Sequence, residues 1–161
     1  MTAAVLTVSD SCARGERVDA SGPAVAQALR LARFEVTVQR VVPDDQPAIE
    51  AALRELSSHA QLVVTTGGTG IAPRDVTPEA TRAVSERLVE GLAERMRSEG
   101  MKKTPFAALS RATCGILGQS LLLNLPGSPA AAVESLAAVI ELLPHALELL
   151  RGKTEHAFRS R

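Results

Sequence analysis

The sequence has 161 residues, which suits one domain with a single buried core and leaves little room for a second. Aromatic residues make up 2% of the chain, with three Phe and neither Tyr nor Trp, which argues against functions that need base-stacking platforms. Eighteen basic and eighteen acidic residues give a formal net charge of zero. We therefore expect no nucleic-acid partner, since such partners require a basic surface.

The cysteines and the apolar stretches indicate a cytoplasmic protein. Cys12 and Cys114 lie far apart and outside any Cys-X-X-Cys motif, which disfavours a zinc site and predicts free thiols in a reducing compartment. The first residues lack a basic region, and Asp10 interrupts them before an apolar signal could form. The uncharged stretch 112–133 is long enough to span a membrane, but its glycines, prolines and asparagine predict strand, loop and helix instead. We expect no membrane contact.

Strand and helix patterns alternate in the first part of the chain. Runs of β-branched and apolar residues predict strands, and apolar residues at helical spacing predict helices. The predicted order is a strand at 3–8, a helix at 19–33, a strand at 34–42, a helix at 46–59 and a strand at 61–66. Strands joined by helices form a parallel sheet with right-handed crossovers. The sequence therefore predicts an α/β domain.

A glycine-rich loop over 67–76 follows the third strand. The Thr77-Pro78-Glu79 segment is a helix-start signature, and the helix is predicted to reach about Glu99 with a break near Gly91. Residues 98–105 are predicted to form a loop.

The last third of the chain adds two strands and a helix. Segments 113–117 and 120–125 face each other across a Gly-Gln turn, which predicts a short antiparallel pair in a mostly parallel sheet. An amphipathic helix follows Ser128, is interrupted at Pro144 and ends near residue 150. The predicted domain covers residues 1–151, and a flexible tail covers 152–161.

Polar or glycine-rich segments follow each strand of the predicted parallel sheet. These segments are Ser9-Asp10-Ser11, Pro43-Asp44-Asp45, Thr65 to Gly70, and Asn124 to Pro129. Ligands of open parallel sheets bind outside the carboxyl ends of the strands. The sequence therefore predicts a ligand site where these loops converge.

The segment Gly67-Gly68-Thr69-Gly70 lets backbone amides approach an anion without interference from a Cβ atom. It is not a Walker A loop, because no Gly-Lys-Ser/Thr follows, and it lacks the third glycine of a dinucleotide fingerprint. Two interpretations remain open: a phosphate-binding loop or a tight structural turn. Its position after a buried strand favours phosphate binding.

Two carboxylates are candidates for chemistry at this site. In one interpretation, Asp75 or Thr77 caps the following helix and Arg74 is solvated; in the other, Asp75 lies beside bound phosphates as a Mg²⁺ ligand or activating carboxylate. Asp45 is expected to cap the helix after the second strand, which leaves Asp44 free to face the cleft. Spacing alone does not decide whether these residues are catalytic.

Three further residue types are less informative. The three His residues do not cluster, so a nucleophilic triad is not expected. Cys114 lies in an apolar strand and is predicted to be a core residue. Ser110 either caps a loop or donates a hydrogen bond to a ligand.

Four segments together resemble a known family. They are Leu6 to Ser11, Thr65 to Thr81 with its Gly-Gly-Thr-Gly and Arg-Asp-Val-Thr-Pro-Glu motifs, Thr104 to Arg111, and Asn124 to Pro129. In this order they resemble the MogA/MoaB family of molybdopterin adenylyltransferases, which is similar to the G domain of gephyrin. The resemblance covers about residues 4–151.

The resemblance implies a three-layer α/β/α sandwich that assembles as a trimer, or as a hexamer in some members. It implies a reaction that joins AMP from Mg-ATP to the terminal phosphate of molybdopterin and releases pyrophosphate. ATP and molybdopterin would be substrates, Mg²⁺ the metal, and a molybdenum insertase a possible recipient of the product.

The resemblance also assigns roles to residues. Asp44 and Asp75 match the essential carboxylates and would be both catalytic and metal-binding. The residues matched to substrate binding are Ser9, Asp10, Ser11, Gly67, Gly68, Thr69, Gly70, Ser110, Asn124, Pro126, Gly127 and Ser128.

Two positions depart from the family pattern. Glu90-Gly91 stands where many relatives have Pro-Gly, and Gly100 stands where some have a serine, which leaves a pterin-side hydroxyl contact in doubt. Alternative hypotheses are a catalytically idle member that acts in binding or assembly, an insertase domain without its flanking domains, and an unrelated flavodoxin-like nucleotide-binding protein. Retention of Asp44 and Asp75 argues against the idle member.

Overall fold

The computed structural model describes residues 1–152, so the predicted tail over 152–161 lies almost entirely outside the described residues. Its centre is a six-stranded sheet in the order β2-β1-β3-β6-β5-β4. The strands are β1 Thr2–Val8, β2 Glu35–Val42, β3 Leu62–Thr66, β4 Arg87–Leu88, β5 Cys114–Leu117 and β6 Ser120–Leu125.

Five of the six strands run in one direction, and β5 runs against them. β1 pairs in parallel with β2 and β3, and β3 pairs in parallel with β6. β5 is antiparallel to both β6 and β4. The prediction of a mostly parallel sheet with a short antiparallel pair is confirmed, and β4 adds a second antiparallel pair at the edge.

Helices cover both faces of this sheet. They are α1 Asp10–Ala13, α2 Ser21–Leu31, α3 Gln46–Ser57, α4 Thr77–Val84, α5 Glu90–Met101, α6 Pro129–Val139 and α7 Leu143–Leu150, with short 3-10 turns at Pro105–Leu109 and Ile140–Leu142. The apolar stripes of α2, α5, α6 and α7 pack on one face, and those of α3 and α4 pack on the other. The predicted three-layer α/β/α sandwich is confirmed.

The central strands are apolar on both sides because both faces of a parallel sheet are covered by helices. In β1, Val5 belongs to one core and Leu6 to the other, and both are fully buried. In β6, Leu123 packs in the same core as Val5, and Leu122 packs in the same core as Leu6. The uncharged stretch 112–133, predicted as strand, loop and helix, contains β5, β6, the loop after β6 and the start of α6.

The helix predicted from Thr77 to about Glu99 is wrong in its middle. The chain leaves the helix at Ser85 and forms β4, because the amides of Glu86 and Val89 donate to carbonyls of β5 at 2.8 Å. Gly91 therefore lies in the first turn of α5 and does not break a helix.

Two other boundaries differ from those predicted. α5 continues to Met101, so the first half of the loop predicted over 98–105 is helical. In the C-terminal helical segment the interruption is the 3-10 turn at Ile140–Leu142, and Pro144 lies in the first turn of α7, where a missing amide costs nothing.

The C-terminal helical segment, Pro129–Leu150, is long and apolar enough to cross a membrane by length and composition alone. The 3-10 turn divides it, and its inner face contributes Leu136, Leu143 and Leu147 to the core beside the sheet. Its inner face is thus part of the core, and its outer face remains partly exposed.

Candidate functional site

The carboxyl ends of the four parallel strands meet at one edge of the sheet. The amide of Ser9, after β1, donates to the last carbonyl of β2 at 2.9 Å. The amide of Gly67, after β3, donates to the last carbonyl of β6 at 3.2 Å, and the hydroxyl of Thr66 donates to the Pro126 carbonyl at 2.7 Å. The loops that the sequence singled out therefore line one cleft.

The glycine loop needs its glycines for both conformation and space. Gly67 and Gly68 have φ angles of +102° and +64°, a region that side chains disfavour. A Cβ atom on Gly67 would lie 2.2 Å from the Val8 carbonyl oxygen, and one on Gly68 would lie 2.3 Å from the Thr77 hydroxyl. Thr77 also holds the loop, since its hydroxyl donates to the Gly67 carbonyl at 2.9 Å.

Asp10 and Asp44 are held side by side by reciprocal hydrogen bonds. The Asp10 amide donates to Asp44 Oδ2 at 2.8 Å, and the Asp44 amide donates to Asp10 Oδ1 at 3.0 Å. Arg74 contacts Asp10 with two guanidinium nitrogens at 2.7–3.0 Å. Arg74 is exposed, as expected, with 64% of its side chain accessible, and in addition it bridges the glycine-rich loop to the segment that follows the end of β1.

The helix-cap alternatives are now distinguishable. Asp45 caps α3 by accepting a hydrogen bond from the Ala48 amide at 3.1 Å, as the sequence predicted. Asp75 instead accepts from the Ala72 amide at 2.9 Å, inside the loop, and Val76 occupies the N-cap position of α4. The interpretation of Asp75 as a helix cap is wrong.

The carboxylates of Asp10 and Asp44 lie in different electrostatic environments. Burial raises the pKa of Asp44, and the neighbouring carboxylates of Asp10 and Asp75 add to this rise. The hydrogen bonds from Arg74 lower the pKa of Asp10. Asp44 is thus the carboxylate whose charge the fold favours least, which is typical of a functional group.

Arg111 is a residue whose role the sequence did not indicate. Its Nε donates to the Gly70 carbonyl at 2.6 Å, and its two terminal nitrogens contact the Asp75 carbonyl and the Glu79 carboxylate. Its own amide donates to the Thr69 carbonyl at 2.8 Å. One side chain thereby fixes the glycine loop, the Asp75 backbone and the first turn of α4.

Two cavities meet at the carboxyl edge of the sheet. The larger, of about 820 Å³, extends between α5, the 3-10 turn Pro105–Leu109 and α6, and Ser110 lines it. The smaller, of about 330 Å³, lies beside Ser9, Asp44 and the loop before α2. Four residues are common to the linings of both cavities: Gly68, Asp75, Gly127 and Ser128. Molecules bound in the two cavities would therefore meet at this boundary.

Of the remaining predicted site residues, some line the larger cavity and others cap helices. Thr69, Gly70 and Pro126 line the larger cavity. Ser128 caps α6 through the Ala131 amide. Ser9 caps the short helix α1, where its hydroxyl lies 3.2 Å from that of Ser11.

Asn124 lies beneath the cleft. It is fully buried, and its amide group donates to the hydroxyls of Thr65 and Thr81 at 3.0 and 2.8 Å. Its side-chain oxygen accepts from the Thr113 amide. Asn124 therefore braces the strands under the site, and its side chain is not part of the lining of either cavity.

The chemistry of the residues fits a metal that arrives with a substrate. Within residues 1–152, no group of three or more His, Cys, Asp or Glu is placed to hold a metal ion by itself. Mg²⁺ is usually held by one or two carboxylates together with substrate phosphates. Asp44 and Asp75 are the two carboxylates of this kind at the cleft; burial raises the pKa of Asp44, and the charges of Asp10 and Asp75 add to that rise.

Comparison with known proteins agrees with this architecture. Residues 4–145 match the model of the probable molybdopterin binding domain. The chain belongs to this family. The family comprises molybdenum cofactor biosynthesis proteins, and the match confirms the resemblance found in the sequence.

Individual relatives cover the chain almost completely. It is 40% identical to molybdopterin adenylyltransferase of Helicobacter pylori strain J99, over 92% of this chain and 86% of that protein. The structure of the molybdopterin biosynthesis enzyme MoaB of Thermus thermophilus has a TM-score of 0.89 and 51% identity, and covers 94% of this chain and 97% of that one.

The molybdenum cofactor synthesis protein cinnamon of Drosophila melanogaster is 44% identical over 93% of this chain. The chain spans 26% of that longer protein.

Proposed function

We propose that this protein is a molybdopterin adenylyltransferase, which transfers AMP from ATP to the terminal phosphate of molybdopterin. The observation that carries the proposal is the pair of cavities joined at Gly68, Asp75, Gly127 and Ser128. A transfer between two substrates needs two adjoining sites with the reacting groups at their boundary. Relatives that carry this name support the same activity.

The reaction is a displacement at phosphorus. An oxygen of the molybdopterin phosphate attacks the α-phosphorus of ATP, a new P–O bond forms, and the bond to the bridging oxygen breaks. The electron pair of that bond leaves with pyrophosphate. Catalysis of such a transfer consists mainly of positioning and of charge stabilisation.

The proposal gives the glycine loop the task of holding phosphate oxygens. Gly68, Thr69 and Gly70 face the larger cavity, and Gly67 and Gly68 also line the smaller one. The backbone amides of Gly68 and Gly70 can approach an anion without interference from a Cβ atom. Ser110 and Ser128 supply hydroxyls at the rim of the larger cavity.

Asp44 and Asp75 are the proposed catalytic carboxylates. When Mg²⁺ accompanies ATP, these two residues would hold it, and the ion would supply neutralisation of phosphate charge. Asp75 lines both cavities and therefore lies at their boundary, whereas Asp44 lines the smaller cavity. Asp10 and Arg74 keep Asp44 oriented through the paired backbone hydrogen bonds.

We further propose a homotrimer or hexamer in the cytoplasm that passes its product to a molybdenum insertase. Support comes from the partly exposed apolar side chains of the C-terminal helical segment, which include Leu142 and Leu149. Cys12 and Cys114 are free thiols, as a reducing compartment requires.

The proposal is tested by incubating the purified protein with molybdopterin, ATP and MgCl₂. We expect adenylyl-molybdopterin and pyrophosphate in equal amounts. A protein that binds both substrates but forms neither product would be an idle member of the family, and the enzymatic proposal would fail.

A further inference from the structure

We infer that Arg111 is a positioning residue for adenylyl transfer, which sets Asp75 and the glycine loop in place without touching either substrate. The inference rests on the proposed function. Arg111 lies outside the lining of both cavities, although its neighbour Ser110 lines the larger one. We therefore expect Arg111 to act on the reaction through the groups that it holds.

The groups that Arg111 holds surround Asp75 in the sequence. The guanidinium contacts the carbonyl of Gly70, the carbonyl of Asp75 and the carboxylate of Glu79. Two of these three acceptors are main-chain oxygens, so Arg111 fixes the backbone of the loop at both ends of the segment 70–75. The Asp75 side chain projects into the cleft from that backbone.

A planar guanidinium is required for this arrangement. Its donors point in fixed directions and can reach three separate acceptors at once, whereas a lysine ammonium is a compact charge on a flexible stem. The side chain is about one third exposed, with 35% of its surface accessible, so its contacts are partly shielded from water.

Glu79 completes the arrangement from α4. Glu79 pairs with Arg111, and its second carboxylate oxygen is buried without a hydrogen-bond partner. Burying an oxygen in this way costs free energy, which the pairing with Arg111 offsets. Glu79 thus orients the guanidinium toward the loop, and Glu79→Gln should reproduce part of the loss seen for Arg111.

The test compares Arg111→Lys and Arg111→Ala with Arg40→Lys and Arg40→Ala. Arg40 makes a two-pronged pair with Glu55 at 2.6 and 2.7 Å on the surface, lines neither cavity, and is the matched control. We expect kcat of Arg111→Lys to fall by at least about tenfold, the scale of a small misplacement of reacting groups. The KM for molybdopterin and the melting temperature should change little.

Chemical rescue separates positioning from general stability. Millimolar methylguanidinium should restore part of the kcat of Arg111→Ala, about threefold or more, by occupying the place of the missing group. The Arg40 variants should keep wild-type kcat with or without the additive. Wild-type kcat in Arg111→Lys would overturn the inference, as would a loss in both Arg111 variants that follows their melting temperatures and does not respond to methylguanidinium. An inactive wild-type protein would instead refute the proposed function.

Discussion

Asp10 and Asp44 each accept a hydrogen bond from the other's backbone amide, at 3.0 and 2.8 Å. This exchange joins the ends of β1 and β2 and holds two carboxylates close together. The hydrogen bonds from Arg74 lower the pKa of Asp10, whereas burial raises the pKa of Asp44. The fold therefore maintains a charge arrangement that is unfavourable for stability, as expected of a site that receives a cation or a polarised substrate.

Replacing Asp44 by Asn should stabilise the protein at neutral pH. The folded protein raises the pKa of this group, so the wild type loses stability as the pH rises through the folded-state pKa, beginning near the ordinary aspartate value of about 3.9. Asn retains an oxygen for the Asp10 amide but never ionises. Thermal melts should show a higher melting temperature for Asp44→Asn at pH 7 and equal values below pH 3.5. A lower melting temperature at pH 7 would contradict this account.

Replacing Asp75 by Asn should remove catalysis while the fold survives. Asn keeps the oxygen that accepts from the Ala72 amide and removes the charge. We expect turnover to fall about a hundredfold or more, the scale of losing one transition-state stabiliser. Binding of molybdopterin, measured by fluorescence, should change little.

The same experiment tests whether Asp44 and Asp75 act together. If both serve one ion, Asp44→Asn should lower turnover similarly, and the double variant should lose less than the product of the two single effects. Normal turnover of Asp75→Asn at low Mg²⁺ would exclude the metal role.

Much of this site was predictable because strand ends and glycine patterns are local features of the sequence. The runs 3–8 and 61–66 are so apolar that their strands, and the polar loops after them, follow directly. The different positions of Asp44 and Asp45 were predictable because the residue directly before α3, Asp45, is the one that can cap the helix.

The features that sequence analysis missed depend on tertiary contacts. β4 has two residues, Arg87 and Leu88, and exists because β5 offers it an open edge. The bridge from Arg74 to Asp10 spans 64 residues, and Arg111 reaches Gly70 across 41. No local pattern marks these partners. Asn124 was assigned from resemblance to substrate contacts, whereas its buried polar atoms bond within the sheet and to α4.

Gly68→Val is expected to abolish substrate binding, but it should also lower the melting temperature. The positive φ angle and the contact with the Thr77 hydroxyl both oppose a side chain there. Unchanged binding of nucleotide and molybdopterin in a destabilised variant would show that the loop is only a structural turn.

Gly70→Ala is a sharper test, because a Cβ atom there would lie 2.8 Å from Asp75 Oδ2 and would displace this flexible carboxylate. We expect kcat to fall by at least about tenfold, because a small misplacement of a group that takes part in the reaction slows it strongly. The melting temperature should be nearly unchanged. Gly91→Ala is the control, since a Cβ atom in this turn of α5 meets nothing within 4 Å and alanine favours helix. Equal kcat in Gly70→Ala and Gly91→Ala would refute the proposed position of Asp75.

Light scattering should show about three chains per particle, or six, at micromolar concentration. The outer side of Pro129–Leu150 exposes Leu142 and Leu149 beside charged residues, and contact between subunits would remove these two leucines from water. A particle of one chain, about 16.9 kDa, would contradict the proposed assembly.

The most direct test of the central claim follows the two ends of ATP separately. Wild-type protein is incubated with molybdopterin, MgCl₂ and ATP that carries radioactive phosphorus at either the α or the γ position, and the products are separated. Transfer of AMP predicts that the α label appears in the pterin product and the γ label in pyrophosphate. Incorporation of the γ label into the pterin, or release of free phosphate without a labelled pterin, would contradict the account.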